Sequence, residues 1–383
     1  MAGLQRPLQG VRVLDFSTLL PGPLATLILC EAGAEVIKVE RPGQGDEMRT
    51  YVPKFGADSV NFALLNRAKR SIAIDLKEPG AVERLRGLIE EADVIVEQFR
   101  PGAMERMGLG YGAVAAINPR VVYCSITGYG QDGPKAHVAG HDLNYVAESG
   151  MLGLAAGSDG APVLPPALIA DIAGGTYPAV VNILLALRQR DQTGQGCHLD
   201  VAMSDNLFTF LYWAMGNGWA AGQWPGSGTD LLTGGSARYQ IYPTADGRHV
   251  ACAALEDRFW HNFLEVIEAP SAWRDSPPMA SALIADIRAI MRGATAAQWA
   301  RRFKGRDVCC SVVATMEEAL QDPHFRARGL FGSVLNADGA GTEATISALP
   351  VPVATQFRGE DSGSSYPALG EGNAEFGVAG LRP

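Results

Sequence analysis

The sequence lacks the marks of several large classes of protein. No run of 18 or more apolar residues occurs, so no membrane span is predicted, and the N-terminus has no apolar signal-peptide region. The six cysteines are scattered without a Cys-x-x-Cys pair, which argues against a disulfide framework and against a metal site. We therefore expect a protein of the reducing cytoplasm that holds no metal.

Basic charge is also scarce. The chain carries 32 lysines and arginines against 41 aspartates and glutamates, for a formal net charge of −9. Proteins that bind nucleic acid usually present a basic field, so no nucleic-acid partner is predicted. An anionic small ligand would instead need a local basic pocket.

One dense basic run is present, Asn66-Arg67-Ala68-Lys69-Arg70, and it has two interpretations. In the first, some of its cations converge on a phosphate-bearing ligand, because arginine pairs well with phosphate oxygens. In the second, the run is a solvated face that balances nearby glutamates, and spacing alone favours this interpretation. The other cations near predicted strand ends are Arg41, Lys77, Arg100 and Arg106.

A dinucleotide fingerprint is missing from the first turn. Residues 11–16 are apolar and β-branched, which predicts a strand, and Pro21-Gly22-Pro23 predicts the start of a helix over 24–32. A second strand over 35–40 completes a β-α-β unit, which is typical of a parallel sheet. No Gly-x-Gly-x-x-Gly follows the first strand, so a nicotinamide cofactor is not predicted.

The alternation of strands and helices continues as far as residue 127. Strands are predicted over 71–76, 93–99 and 121–127, with helices over 79–91 and 111–118 between them. The fold class is therefore α/β, with a large, doubly wound and mainly parallel sheet. Ligands of such sheets bind at the carboxyl ends of the strands. Three predicted strand ends carry suitable groups: Glu40-Arg41, Gln98-Phe99-Arg100 and Gly128-Tyr129-Gly130.

The pattern changes in the second half of the chain. The predictions there are helices over 174–189 and 204–222, a strand over 198–201, a hairpin of strands 238–242 and 249–253, helices over 258–267, 280–291 and 296–304, and a strand over 349–355. We divide the chain into a large domain (1–225), a small α+β domain (226–330) and a C-terminal segment that returns to the large domain (331–383). Residues 359–383 are rich in Gly, Ser and Pro and are expected to lie over the surface.

Two short motifs carry candidate chemistry. Gly140-His141-Asp142-Leu143-Asn144-Tyr145 presents an imidazole, and Ile169-Ala170-Asp171 presents a carboxylate thirty positions after it. An imidazole and a carboxylate among small residues are what a proton-exchanging site needs. Each has a structural alternative, since His141 can be a capping or core histidine and Asp171 can be the N-cap of the helix that follows.

Several motifs together resemble one family. They are Leu14-Asp15-Phe16-Ser17 with Pro21-Gly22-Pro23, the stretch 34–43, the stretch 66–76, Phe99-Arg100-Pro101-Gly102, and the stretch 128–134. They are similar over nearly the whole chain to the family III CoA-transferases, also called CaiB/BaiF proteins. The histidine motif at 140–145 resembles the α-methylacyl-CoA racemase branch, and formyl-CoA transferases usually lack that histidine. Glu256 stands in a stretch similar to a glutamate motif of the racemases, although Asp257 replaces the expected proline.

The resemblance implies a fold, a partner and a ligand. Two such chains interlock as a homodimer, with the site between the large domain of one subunit and the small domain of the other. The implied ligand is an acyl-CoA, which serves as substrate, and no cofactor is implied. Its implied contacts are Arg41, Ile74, Asp75, Leu76, Lys77, Gln98, Phe99, Arg100 and Arg106 for the CoA, and Gly140, Asp142, Leu143, Asn144 and Tyr145 beside the catalytic histidine.

The resemblance also implies a reaction. His141 and Asp171 would exchange the α-proton of a 2-methyl-branched acyl-CoA from opposite faces, through an enolate, and Glu256 of the partner chain would orient His141. Backbone N–H groups at a helix start near residues 142–144 could stabilise the enolate oxygen. A CoA-transferase is the alternative, with Asp171 as a nucleophile that forms an aspartyl intermediate. A non-catalytic CoA-binding protein is the third possibility.

Overall fold

The computed structural model describes residues 6–157, 160–337, 344–359 and 363–378. The chain forms two compact units. Unit 1 contains the described residues up to Ser149, Pro166–Thr209 and those from His324 onward, and unit 2 contains those of Gly150–Pro165 and Phe210–Pro323. Residues 210–225 therefore group with unit 2, whereas the sequence-based division at 225/226 places them in the large domain.

The described residues contain fourteen strands and fourteen α-helices, numbered in chain order. The strands are β1 (Arg12–Asp15), β2 (Glu35–Glu40), β3 (Lys54–Phe55), β4 (Asp58–Ser59), β5 (Arg70–Ala73), β6 (Val94–Glu97), β7 (Val122–Thr127), β8 (Cys197–Ala202), β9 (Tyr239–Pro243), β10 (His249–Ala253), β11 (Cys310–Val312), β12 (Val334–Asn336), β13 (Thr345–Ser347) and β14 (Ser364–Ser365). The helices are α1 (Pro21–Glu31), α2 (Val60–Asn66), α3 (Ala81–Glu91), α4 (Ala103–Arg106), α5 (Tyr111–Ile117), α6 (Asp142–Glu148), α7 (Tyr177–Thr193), α8 (Met203–Asn206), α9 (Tyr212–Ala221), α10 (Asp257–Val266), α11 (Leu283–Met291), α12 (Ala296–Phe303), α13 (Met316–Gln321) and α14 (Pro323–Ala327).

Unit 1 is built on a six-stranded sheet in the order β5-β2-β1-β6-β7-β8. Every neighbouring pair in it is parallel. Successive side chains of a strand point to opposite faces. Leu14 packs with α3 and α5 on one face, and α1 and α7 contact the strands on the other face, where Val13 points. The predicted doubly wound parallel sheet is confirmed.

The first crossover shows why the sequence folds in this way. Pro21 opens α1 directly after the turn that follows β1, where its missing N–H costs nothing. The helix is buried along nearly its whole length, which matches its uniformly apolar sequence. The predicted strand over 35–40 coincides with β2, and the other strands that were predicted before residue 130 are recovered in shortened form.

The strand predicted over 349–355 is wrong. Pro350 and Pro352 remove the N–H donors from one edge of that stretch, which weakens its pairing, and the stretch forms no strand. Val351 is buried in the core instead, and the C-terminal region forms a three-stranded sheet in the order β13-β12-β14.

The C-terminal residues do not simply lie over the surface, as the sequence had predicted for 359–383. Tyr366 is buried, and its hydroxyl donates to Phe55 O at 2.6 Å. Gly372 N donates to Ser71 O at 2.8 Å, and the Asn373 side chain bonds both backbone groups of Ala73. Residues 370–373 therefore pack along β5, at the edge of the large sheet. Residues 360–362 and 379–383 lie outside the described part of the chain.

Two cations of the basic run 66–70 are buried rather than part of a solvated face. Lys69 is 3 % exposed, and its Nζ lies 3.1 Å from Asp15 Oδ2, 2.8 Å from Thr26 Oγ1 and 2.8 Å from Asn66 Oδ1. Arg67 is also buried and pairs with Glu31 at 2.7 Å. Lys69 thus compensates the buried carboxylate of Asp15, and Arg67 pairs with the carboxylate at the end of α1.

Unit 2 contains a three-stranded antiparallel sheet in the order β11-β10-β9. Its core includes Trp260 and Phe263 of α10, Ile287 of α11 and Trp299 of α12. The predicted hairpin and three helices are confirmed, although α11 begins at Leu283 rather than at residue 280. The helix predicted over 204–222 is broken into α8, a 3-10 segment at Leu207–Leu211, and α9.

One helical segment, Ala170–Thr193, is long and apolar enough to pass a test for a membrane span by length and composition. Half of its most apolar stretch is buried within the protein. Buried core helices pass the same test, so this feature is weak evidence for a membrane.

Candidate active site

Polar residues gather at the carboxyl edge of the large sheet. β2 ends at Glu40, β6 at Glu97 and β7 at Thr127, so the three groups predicted at strand ends do follow directly after them. Two cavities of unit 1 open along this edge. They are called here the edge pocket, of about 450 Å³, and the helix pocket, of about 820 Å³.

The edge pocket brings the two candidate catalytic groups together. His141 and Asp171 both line it, although they come from segments 30 positions apart. The other predicted site residues in its wall are Gln98, Phe99, Arg100, Gly140, Asn144 and Tyr145. The sequence-based pairing of His141 with Asp171 is therefore matched by their positions.

His141 is the residue that precedes helix α6, in extended conformation. Its backbone N–H donates to Asn144 Oδ1 at 3.0 Å, and its carbonyl accepts from Asn144 N at 2.8 Å. These backbone bonds fix the start of the helix, while the imidazole is exposed and lines the edge pocket. His141 thus occupies a capping position and the pocket wall at once.

Asp171 lies in an unusually wide helical turn, the π-helical segment Ala170–Thr176 that runs into α7. A methyl group at Gly174 would lie 2.3 Å from Met203 O, so only glycine permits this close approach. Asn206 Nδ2 donates to Gly174 O at 2.8 Å and satisfies a carbonyl within this turn. Because Asp171 lies inside the helical segment, the structural alternative, in which it is the N-cap of the helix that follows, is wrong.

A hydrogen bond joins the two candidate motifs. Asp171 N donates to Asp142 Oδ1 at 3.0 Å, and Asp142 is buried. Burial, and to a lesser degree the neighbouring Asp142 carboxylate, raises the pKa of Asp171 to about 7. A carboxyl group that titrates near neutrality can both take and give a proton under physiological conditions.

Two tyrosines shape the pocket beside these groups. The Tyr145 hydroxyl donates to Gly140 O at 2.6 Å, which holds the residue before His141. Burial raises the pKa of Tyr145 to about 12, with Asp171 as a further cause, so this hydroxyl stays protonated as a donor. Tyr129 also lines the pocket and meets Tyr145 edge to face at 5.1 Å. Gly128 leaves the space that the Tyr145 ring occupies.

The helix pocket contains four of the residues predicted to hold CoA: Leu76, Lys77, Phe99 and Arg106. Phe99 lines the edge pocket as well, so the two cavities adjoin at this ring. Next to it, Gln98 Oε1 accepts from Gly22 N at 3.0 Å at the start of α1. The adjoining cavities can therefore hold one elongated ligand. The basic side chains of Lys77 and Arg106 would then lie at the end of the ligand that occupies the helix pocket.

Other predicted residues lie outside these two pockets. Arg41 is exposed, and its Nε donates to Gly45 O at 3.1 Å. The Ile74 side chain is buried in the hydrophobic core and leaves only backbone groups for a ligand. Asp75 Oδ1 accepts from Lys77 N at 2.9 Å, and neither Asp142 nor Leu143 is part of the edge-pocket wall. Glu256 belongs to unit 2, where it is the residue before α10.

Some residues of the site were not predicted from the sequence. Thr18, Pro21, Val138 and Met203 also line the edge pocket. Pro21 stands in a turn that the sequence did mark, at the end of the first strand. Glu97, which is buried, accepts from Phe99 N at 2.8 Å, and burial raises its pKa to about 7. In the sequence, the signal for Glu97 was the presence of a carboxylate at the end of an apolar strand.

The fold and these cavities define an α/β protein with a candidate ligand site at the carboxyl edge of its sheet. The chain belongs to CoA-transferase family III, because residues 8–373 match that family. It is 33 % identical over 379 residues to the α-methylacyl-CoA racemase of Homo sapiens. The match covers 96 % of this chain and 92 % of that protein.

Other relatives have different reactions in their names. The chain is 40 % identical over 255 residues to the succinyl-CoA:glutarate CoA-transferase of Mus musculus, a match that covers 66 % of this chain and 58 % of that protein. Among solved structures, a CaiB/BaiF family protein from Brucella suis superposes with a TM-score of 0.80 at 30 % identity, covering 97 % of this chain and 98 % of that one. The resemblance to this family is thus confirmed, and both racemases and CoA-transferases are among its relatives.

Proposed function

We propose that this protein is an acyl-CoA racemase that inverts the α-carbon of a 2-methyl-branched acyl-CoA. The observation that carries the proposal is the placement of His141 and Asp171 in the wall of one pocket. The raised pKa of Asp171, about 7, supports the same reaction, since a two-base racemase needs groups that exchange protons near neutral pH.

The proposed reaction divides the work between the two side chains. One removes the α-proton of the thioester and the other delivers a proton to the opposite face of the enolate. Such acid–base assistance contributes about 10²–10⁴-fold, so the enolate oxygen must also be stabilised. The start of α6 was expected to supply these donors, but the N–H groups of Asn144 and Tyr145 point to His141 O, and Asp142 and Leu143 lie outside the wall of the edge pocket.

The adjoining cavities suit the length of a CoA thioester. In our proposal the nucleotide end lies in the helix pocket beside Lys77 and Arg106, and the pantetheine passes Phe99 towards the edge pocket. Arg41 lies outside both pockets and is exposed, and in our proposal it pairs with a phosphate of the CoA from the solvent side. The acyl-CoA is the substrate, and no cofactor takes part.

We also propose the homodimer and the third catalytic group that the resemblance implies. Helix α7 of unit 1 carries a stripe of exposed apolar side chains, Tyr177, Val181, Leu184 and Leu185, which is typical of a surface that becomes buried on association. Glu256 would approach His141 from the partner chain and orient its ring. A cytoplasmic location remains part of the proposal.

A CoA-transferase is the second candidate, because relatives such as the succinyl-CoA:glutarate CoA-transferase support it. In that reaction the Asp171 carboxylate would attack a thioester and form an aspartyl intermediate. An ionised carboxylate is the nucleophile, and a pKa of about 7 leaves part of Asp171 ionised at neutral pH, so this pKa fits both reactions. The transferase reaction, however, gives His141 no clear task.

Isotope exchange distinguishes the two candidates. The protein is incubated with a single enantiomer of a 2-methylacyl-CoA in D2O, with and without an added free acid, and the thioesters are followed by mass spectrometry. We expect deuterium at the α-carbon and loss of enantiomeric purity without the acid. The variant His141→Ala should lose this exchange.

Transfer of CoA to the acid without deuterium uptake would overturn the racemase proposal and support the transferase. In that case His141→Ala should be well tolerated. Absence of both reactions, together with binding of CoA, would favour a non-catalytic CoA-binding protein.

The pH profile gives a further prediction. For the enantiomer whose α-proton Asp171 removes, kcat/KM for exchange should rise with pH through about 7, because the carboxyl group must be ionised to act as base. In Asp142→Asn the neighbouring charge is lost, while the amide oxygen can still accept from Asp171 N. The midpoint should therefore move to lower pH, and an unchanged midpoint would contradict the influence of Asp142 on Asp171.

A further inference from the structure

Unit 2 contains a pair of cysteines that face each other across two neighbouring strands. Cys252 of β10 and Cys310 of β11 are direct partners in the antiparallel register. Both side chains point towards the core, where Cys252 is buried and Cys310 packs against it partly exposed. All six cysteines of the chain are free thiols. No role proposed above uses this pair.

The register places the pair at the type of position that a cross-strand bond requires. Ala253 N donates to Cys309 O at 3.0 Å, and Val313 N donates to His249 O at 2.9 Å. Hydrogen-bonded and non-hydrogen-bonded pairs alternate along an antiparallel ladder, so Cys252 and Cys310 form a non-hydrogen-bonded pair with Cα atoms about 4.5 Å apart. Disulfides span Cα separations of about 4.4–6.8 Å, so the sheet needs little movement to accept one.

The two thiols also influence each other directly. Their proximity lowers the pKa of Cys252 and raises that of Cys310. Cys252 Sγ lies 3.7 Å from Arg238 O. Cys310 Sγ also lies 3.2 Å from Val308 O. The interaction favours a thiolate on one sulfur with a thiol beside it, which is the arrangement that an oxidised sulfur needs for rapid resolution.

We propose that Cys252 and Cys310 form a reversible disulfide when the protein meets a peroxide. One thiolate attacks a peroxide oxygen, the O–O bond breaks, and the sulfur becomes a sulfenic acid while the other oxygen leaves as water or an alcohol after protonation. The second thiol then attacks the sulfenic sulfur, the S–S bond forms, and the hydroxyl leaves as water with the proton of that thiol. A dithiol reductant restores both thiols.

The neighbouring Cys309 is not the disulfide partner of Cys252 in this proposal. Its φ of 49° lies in the left-handed region, and its side chain is exposed, whereas that of Cys310 turns to the core side. The proposed bond would fasten β10 to β11 four positions before Glu256, at the point where the chain leaves the sheet towards α10. Oxidation would therefore restrain the segment that carries Glu256.

Peptide mapping tests the proposal on the full chain. The folded protein is treated with hydrogen peroxide, free thiols are blocked with N-ethylmaleimide under denaturing conditions, and a tryptic digest is analysed by mass spectrometry. We expect peptide 249–258 joined to peptide 307–326, the loss of two of the six alkylated thiols, and recovery of both after dithiothreitol.

The matched variants identify the partner sulfur, since both Cys309 and Cys310 lie in peptide 307–326. The joined peptides should persist in Cys309→Ser and disappear in Cys310→Ser and in Cys252→Ser. A link that survives in Cys310→Ser, a bond confined to Cys309 and Cys310, or only over-oxidised cysteines would each overturn the proposal. The readout requires no enzymatic activity, so it is independent of the proposed reaction.

Discussion

Replacing Asp171 by asparagine is expected to lower α-proton exchange by about 10²–10⁴-fold. The amide keeps the size of the side chain but cannot accept and return a proton. Its backbone N–H can still donate to Asp142 Oδ1, so the wide helical turn should persist. The measurement is the initial rate of deuterium uptake from D2O at saturating thioester, for each enantiomer separately.

Binding should separate this loss from a structural defect. The helix pocket, with Lys77 and Arg106, is not altered, so the affinity for free CoA should remain within about two-fold. Asp191→Asn, an exposed carboxylate near the end of α7, serves as the control and should keep full exchange. Full exchange activity in Asp171→Asn would exclude Asp171 from proton transfer.

Replacing Lys69 by methionine is expected to reduce the free energy of unfolding by about 3–5 kcal/mol. Lys69 and Asp15 are both fully buried side chains joined at 3.1 Å, and the lysine also meets three further oxygens. The depressed pKa of Asp15, about 2, reflects the nearby charges of Lys69 and Lys38 acting against burial. Removing Lys69 leaves a carboxylate in the interior with only part of its compensation.

Denaturant unfolding of the full chain, followed by a probe of unit 1, measures this loss. Arg70→Met is the matched control, because Arg70 is 42 % exposed and its pairs with Glu371 and Glu375 lie at the surface, where such pairs contribute about 0–1 kcal/mol. The double variant Asp15→Asn/Lys69→Met should recover part of the loss. A loss in Lys69→Met no larger than that of the control would show that the buried pair does not stabilise the fold.

The sequence was most informative where a local pattern decides the structure. The apolar strands, the Pro21-Gly22-Pro23 turn and the hairpin around residues 244–247 were recognisable because periodicity and turn residues act over short distances. The strand predicted over 349–355 failed for a local reason as well, since its two prolines outweigh its β-branched residues. More weight on those prolines would have corrected it.

Contacts between residues that are far apart in the chain could not be predicted from the sequence. Nothing in the run 66–70 indicates that Lys69 reaches Asp15, 54 positions earlier. The wide turn around Asp171 depends on the contact of Gly174 with Met203, and the raised pKa of Asp171 depends on its burial beside Asp142. The residue types of the site could be named in advance, whereas their positions and proton affinities follow from packing between distant segments.

The packing of residues 370–373 along β5 has a consequence for folding during synthesis. The outer edge of β5 binds Gly372 and Asn373, and Asn373 lies 300 positions after its partner Ala73 in the chain. Unit 2 includes the continuous stretch Phe210–Pro323, which emerges before them. The β5 edge of the large sheet therefore stays unpaired while more than a hundred residues are translated. Unpaired strand edges are sites where chains aggregate. Residues 370–373 thus cover this edge of the sheet, and chains truncated before them should depend most on chaperones.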